Sequence, residues 1–175
     1  DGKAITEWEA KKPGWQEHWK VVDGVIQYDG QSADLWTKQP YQDFVLMVSW
    51  RLPKPGDSGI YVRGSSKCQA NIWVSPLGSG EVYGYRTDTK MPELVRQAAK
   101  PKKKADKPVG AWNDFVITVK GTRMTVVLNE VVVIDALEML GCPKEGPLAL
   151  QHHGNPVEFK NIYIREFRPE VKPAP

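Results

Sequence analysis

Apolar side chains recur at every second position in one run after another: Phe44, Leu46, Val48 and Trp50; Phe115, Ile117 and Val119; Met124, Val126 and Leu128. A β-strand sends successive side chains to opposite faces, so this period of two builds sheets with one face in a core and does not supply the stripe of an amphipathic helix. Turn residues separate the runs. Asp23-Gly24, set between Val21-Val22 and Val25-Ile26, is a two-residue hairpin signal. Pro53 to Gly56 breaks the strand that ends near Trp50, and further short strands are expected at 58–63, 68–74, 81–85 and 131–134. In the last strand, 157–167, Val157 and Phe159 share one face while Ile162 and Ile164 belong to the other. A β-bulge near Lys160-Asn161 reconciles the two parities. Only Leu94 to Ala99 reads as a helical turn, inside a long loop from about 87 to 111. Roughly ten or eleven short strands in this order predict an all-β fold, a jelly-roll β-sandwich of two antiparallel sheets. A length of 175 residues is that of one domain. Its expected bounds are 1–168, with 169–175 as a Pro-rich tail.

The strands also predict a polar face. If Ile60 and Val62 enter the core, Asp57, Gly59, Tyr61 and Arg63 share the outer face. Gln69, Asn71 and Trp73 alternate with Ala70 and Ile72 and give that face two amides and an indole. Read as a strand, 81–85 sends Val82 inward and Glu81, Tyr83 and Tyr85 outward, with Arg86 following. If Leu148 and Leu150 face the core, Gln151 and His153 face away from it while His152 turns inward, so the His-His doublet is not a two-histidine site. A strand histidine or a surface arginine is most often structural, but segments that each bring acid, amide, aromatic ring or cation to one side favour a cleft. Seven tryptophans add flat surfaces on which sugar rings stack.

Several functions are disfavoured. The net charge of +3 is small, and Lys100-Pro101-Lys102-Lys103-Lys104 lies in a Pro-rich stretch without interleaved aromatics, which reads as a solvated loop and not as a nucleic-acid surface. No window approaches the about 18 apolar residues of a membrane span. Cys68 and Cys142 permit one disulfide without implying it. No zinc spacing, phosphate loop or Ser or Cys nucleophile motif occurs, nor the Glu-x-Asp-x-x-Glu run of many sandwich glycosidases. Asp57 and Glu81 form a carboxylate pair only if their strands adjoin. A divalent cation held by Asp57, Glu81 and His153 is a further option, with no cofactor otherwise indicated.

The ordered motifs Asp43-Phe44-x-Leu46, Trp50-Arg51, Asp57-Ser58-Gly59-Ile60-Tyr61-x-Arg63, Gln69, Gly80-x-x-Tyr83, Trp112-Asn113, Leu128-Asn129, Gly146-x-x-x-Leu150-Gln151-x-His153-Gly154 and Phe159-x-Asn161-Ile162 resemble the 3-keto-disaccharide hydrolase domain family over nearly the whole chain. The resemblance implies a concanavalin-like jelly roll whose concave sheet binds an oligosaccharide or oxidised sugar. It also implies export to the periplasm or extracellular space, any leader being already removed from a chain that starts at Asp1. The implied chemistry acts on glycosides oxidised to a ketone at C3: the ketone acidifies the C2 proton, and the glycosidic oxygen leaves by elimination before water adds. This needs one base, His153 or Glu81, and a cation for the enolate, Arg63. Asp57, Tyr61, Gln69, Asn71, Trp73, Tyr83, Arg86 and Gln151 are then the sugar-binding set. Two positions depart from the family pattern. Asp57 stands where the family has Asn, and Glu130 follows Leu128-Asn129 where the family has Gly, so that hairpin turn is expected to change type. A non-catalytic, lectin-like sugar-binding module is the alternative on the same fold, and a domain that merely displays loops is a third.

Overall fold

A computed structural model describes residues 5–167; the expected 169–175 tail lies outside them. Twelve strands occur in the order β1 (Trp8–Glu9), β2 (Trp19–Val22), β3 (Val25–Tyr28), β4 (Leu35–Tyr41), β5 (Phe44–Arg51), β6 (Asp57–Val62), β7 (Ser65–Trp73), β8 (Asn113–Lys120), β9 (Arg123–Leu128), β10 (Val131–Glu138), β11 (Gly146–Leu150) and β12 (Val157–Glu166). They form a five-stranded sheet, β1-β4-β11-β6-β7, and a seven-stranded sheet, β10-β9-β8-β5-β12-β3-β2. Every pairing is antiparallel. The two sheets stack as a jelly-roll sandwich.

The alternating runs make the core. Phe44, Leu46, Val48 and Trp50 are at most 2% exposed, and Phe115, Ile117, Val119, Met124, Val126 and Leu128 at most 1%. The five-stranded sheet answers with Leu148, Leu150, Ile60, Val62, Ala70 and Ile72. Here β6 departs from simple alternation, since Gly59 and Tyr61 are buried as well as Ile60 and Val62. Its outer face is covered by its own neighbours, as the floor of a site is.

Turn chemistry sets the registers. Asp23 and Gly24 have φ of 50° and 77°, and Arg63 and Gly64, between β6 and β7, have 53° and 70°. Both are two-residue turns with left-handed central residues. Asn129 and Glu130 have φ of 49° and 67°, so this turn keeps the same backbone despite the glutamate and did not change type as expected. The β12 register slips between Lys160 and Tyr163 with Asn161 at φ 52°, where the change of parity calls for a bulge.

One expected strand is something else. Residues 81–85 do not extend: Asn71 N–H donates to Glu81 O (2.9 Å) and Gly80 N–H to Asn71 O (2.7 Å), after which the chain coils into the single turn α1 (Tyr83–Arg86). Gly84 allows this, because a Cβ there would lie 2.6 Å from Lys67 O. Residues two apart share a face on a strand but lie about 200° apart on a helix. Tyr85 accordingly points into the core at 0% exposure while Tyr83 stays 43% exposed. The 87–111 loop carries α2 (Glu93–Ala98), which covers the Leu94 to Ala99 turn. Its lysines are solvated and locally paired, Lys102 with Asp135 and Lys104 with Ser75 O. No described helix is long and apolar enough to cross a membrane.

Candidate functional site

The outer face of the five-stranded sheet is built in rows. Across β4, β11, β6 and β7 the first row reads Trp36, Ala149, Tyr61 and Gln69, each the register partner of the next. In the second, Gln151 N–H donates to Gly59 O (2.8 Å) and Gly59 pairs with Asn71, whose backbone meets Glu81. In the third, Asp57 pairs with Trp73. Parity places Asp57, Tyr61, Gln69, Asn71, Trp73 and Gln151 on one face, as the alternation predicts.

Small residues lower the middle of this surface. Ala149 lies between Trp36 and Tyr61, whose rings approach to 5.9 Å. A Cβ on Gly59 would lie 2.6 Å from Gln69 Oε1 and 2.9 Å from Gln151 Oε1, so two amide oxygens converge on the space the missing side chain leaves. Gln69, Gln151 and Asn71 are 7%, 8% and 3% exposed. The oxygens Gln69 Oε1, Gln151 Oε1 and Glu81 Oε2 have no hydrogen-bond partner among the described residues. A buried acceptor without a partner is costly. Grouped over a glycine, such acceptors fit a ligand that brings hydroxyl donors.

Titratable groups line the same face. Burial pushes the Asp57 carboxyl above the usual carboxylate range, opposed by the positive field of His153. His153 is exposed just past β11. Glu81 is 0% exposed and pairs with Arg86 Nε, while the Arg86 side chain keeps 23% of its surface. Burial raises the Glu81 pKa, the Arg86 hydrogen bond and charge lower it, and Asp57 raises it again. The Arg86 guanidinium sits 5.4 Å from the centre of the Tyr83 ring, which meets Trp73 edge-on at 6.3 Å. His153, Asp57, Glu81 and Arg86 thus form one electrostatic chain with an aromatic flank. Burial pushes the Tyr61 phenol pKa up, and the Asp34 charge adds to the shift, which holds the group protonated far into alkali.

Two residues absent from the sequence reading belong here, Asp34 and Trp36. Asp34 Oδ1 accepts from His152 N–H at 2.7 Å, burial raises its pKa, and its charge reaches Tyr61. It precedes Leu35 and shares parity with Trp36, so an alternation of Asp34 and Trp36 out with Leu35 and Thr37 in was there to be read. His152 turns away from the site. Its Nδ1 accepts from Tyr28 Oη and from Gly154 N–H (3.3 Å), which ties down the loop that carries His153.

Arg63 does not join the site. It is 3% exposed and fully engaged: Nε donates to Gln42 O (2.7 Å), Nη1 to Pro143 O (3.4 Å) and Nη2 to Asp43 Oδ1 (2.8 Å). Its left-handed φ in the β6–β7 turn breaks the parity that would have kept it beside Tyr61. The cation on this face is Arg86. Tyr85, expected outward, lies in the core. Asp57, Glu81 and His153 do not gather into a metal-holding group, and no cluster of three or more His, Cys, Asp or Glu side chains that could hold a metal occurs among the described residues. A cavity of about 730 Å³ opens elsewhere, between the sheets and lined by Thr37, Leu46, Leu148 and Ile162. It lacks the convergence of titratable groups and unpartnered amides that marks the outer face.

The sequence over residues 1–165 matches the 3-keto-alpha-glucoside-1,2-lyase-like domain family. No curated protein matches it. Among solved structures, a protein assigned as a glycosyl hydrolase from Parabacteroides distasonis is 25% identical, with a TM-score of 0.69 over 95% of this chain and 81% of that one. The carbohydrate-binding module CBM66 from Bacillus subtilis superposes with a TM-score of 0.59 at 16% identity, over 93% of this chain and 97% of the module. A Bacillus subtilis protein with a galectin-like fold gives 0.58 at 8% identity, over 93% and 90%. The last two likenesses are of fold alone.

Proposed function

The chain belongs to the 3-keto-alpha-glucoside-1,2-lyase-like domain family, and on that premise we propose that it is a glycosidase-like enzyme that binds a sugar across the outer face of the five-stranded sheet and cleaves glycosides carrying a C3 ketone. The observation that carries this reading is the Glu81–Arg86 ion pair beside buried amide oxygens that lack partners, on the face where Asp57 lies within the electrostatic reach of the exposed His153.

The ketone makes the C2 proton acidic. His153, with Asp57 beside it, takes that proton. The electron pair passes through the enolate as the C1–O bond breaks, and the leaving oxygen is protonated. Water then adds to the unsaturated 3-keto sugar at C1, which sums to hydrolysis. The enolate oxygen needs a cation, and Arg86 supplies it. Glu81, fully enclosed, holds that guanidinium in place and acts as a positioning group. Of the two expected bases this reading keeps His153 over Glu81, and the stabiliser moves from Arg63 to Arg86. Gln69, Asn71 and Gln151 meet sugar hydroxyls, and Trp36, Tyr61, Trp73 and Tyr83 supply ring contacts. We place the protein in the periplasm or outside the cell as part of the same reading.

The test is incubation with a 3-keto-disaccharide, following release of the second sugar. Turnover that falls at least 100-fold in both Arg86→Ala and His153→Ala supports it. Unchanged substrate with the folded wild-type protein overturns it. The Trp36–Tyr61 surface also favours a second reading, a non-catalytic sugar-binding module. That reading predicts saturable oligosaccharide binding with no product.

A further inference from the structure

Cys68 and Cys142 are the only cysteines in the chain, 74 positions apart, and the fold brings both to the neighbourhood of one tyrosine hydroxyl. Cys68 lies on β7, on the core face of the strand that presents Gln69 and Asn71 to the opposite side; it is 1% exposed. Its Sγ is 3.4 Å from Tyr85 Oη, and Tyr85 Oη donates to Leu140 O at 3.0 Å. Two residues on, in the turn closed by Cys142 N–H donating to Met139 O (3.1 Å), Cys142 packs against the same core, so the Tyr85 hydroxyl bridges Cys68 and the turn that carries Cys142. Both are free thiols here, and Cys142 is the one with surface exposed.

We propose that Cys68 and Cys142 are a disulfide-forming pair which, on oxidation by an external disulfide, staples β7 to the turn after β10. The Cys142 thiolate attacks the external disulfide, whose S–S bond breaks and releases one thiolate that takes up the lost proton. Cys68 then attacks Cys142 Sγ in the mixed disulfide and expels the second thiolate, which takes the other proton. Two thiols are oxidised and one external disulfide is reduced. Cys68 suits the second step because it stands behind Cys142 in the core, where an external disulfide does not reach it. The bond anchors Tyr85, and with it the turn of helix that carries Tyr83 and Arg86. None of this depends on which sugar the outer face takes.

The test is equilibration of the purified protein with excess oxidised glutathione, then denaturing alkylation with iodoacetamide and mass spectrometry. The expected result is no alkylated cysteine until a reductant is added, a peptide pair joining Cys68 to Cys142, and a Tm that falls by about 10 °C on reduction. Cys142→Ala, at a partly exposed position, should fold and lose the reductant effect. Alkylation of both cysteines without reduction overturns the proposal, as do glutathione adducts without the internal link.

Discussion

Gln69, on β7, and Gln151, one residue past β11, aim their amide oxygens from either side of β6 at the same space above Gly59, where a Cβ would stand 2.6 Å from one and 2.9 Å from the other. The two nearest obstructing atoms are the ends of side chains, and the third, Ala70 O at 3.2 Å, needs to give by only a few tenths of an ångström, so the sheet can absorb an added methyl while the site cannot keep its shape. Gly59→Ala is therefore expected to fold with a Tm within a few degrees of wild type and to lose at least 10-fold in sugar affinity or kcat/KM. Calorimetric titration beside a melting curve measures both. A site that works unchanged with alanine at 59 would remove these amides from recognition.

Asp57 trades stability for function. Burial raises its folded pKa above the unfolded value, so its contribution to stability is present below the unfolded pKa and is lost as pH rises through the folded one. At neutral pH the ionised, half-buried carboxylate is a cost. Asp57→Asn should raise Tm at pH 7 by a few degrees, on the order of 1 kcal/mol, and leave it near wild type at pH 3. Turnover should drop, since His153 loses the carboxylate beside it. Melting curves across pH 3–8 decide: an asparagine variant less stable at pH 7 would show that the carboxylate has a stabilising partner.

Glu130 sits at φ 67° in a turn whose first residue, Asn129, has φ 49°. A residue with a Cβ costs about 1 kcal/mol in this region where glycine costs little. Asn129 itself is fixed, its Nδ2 donating to Ala105 O (2.8 Å) and its Oδ1 accepting from Asp114 N–H (3.0 Å). Those bonds hold the neighbouring glutamate in place. Glu130→Gly should raise stability by about 1 kcal/mol in urea denaturation with no effect on turnover.

Period-two alternation made most of the sandwich legible, because a one-residue slip would have sent Phe44, Leu46, Val48 and Trp50 to solvent. It also made Asp57, Tyr61, Gln69, Asn71, Trp73 and Gln151 legible as one face. The rule fails where the backbone leaves the extended region. Arg63 turns inward on its positive φ, and Tyr83 and Tyr85 separate because their segment coils onto β7. The strand β4 was hidden for another reason: Lys38, Gln39 and Pro40 interrupt its apolar pattern, and with it went Trp36 and the adjacent Asp34. Which acid pairs with which cation depends on contacts between segments far apart in sequence, and no local pattern encodes those.

Arg63 and Arg86 are the two cations that sequence alone does not tell apart, and their alanine variants should differ in turnover per folded molecule. The Arg63 guanidinium is buried against Asp43, whose Oδ1 also accepts from Gly121 N–H at 2.9 Å, so its removal strands a carboxylate and two carbonyls at a junction of three chain segments. Arg63→Ala should cost about 3 kcal/mol or more in unfolding free energy. The fraction that stays folded should turn over substrate at close to the wild-type rate per active molecule. Arg86 is partly exposed, but its partner Glu81 is fully enclosed, so Arg86→Ala should also cost about 3 kcal/mol by leaving that carboxylate unpaired, and here turnover per folded molecule should collapse. Removal of Glu81 as well should restore part of the lost stability, because the enclosed carboxylate is left unpaired when the arginine goes, and should not restore activity. Denaturation curves read beside active-site-normalised rates separate the two arginines. A catalytic loss in Arg63→Ala at full stability would return the enolate-stabilising role to Arg63.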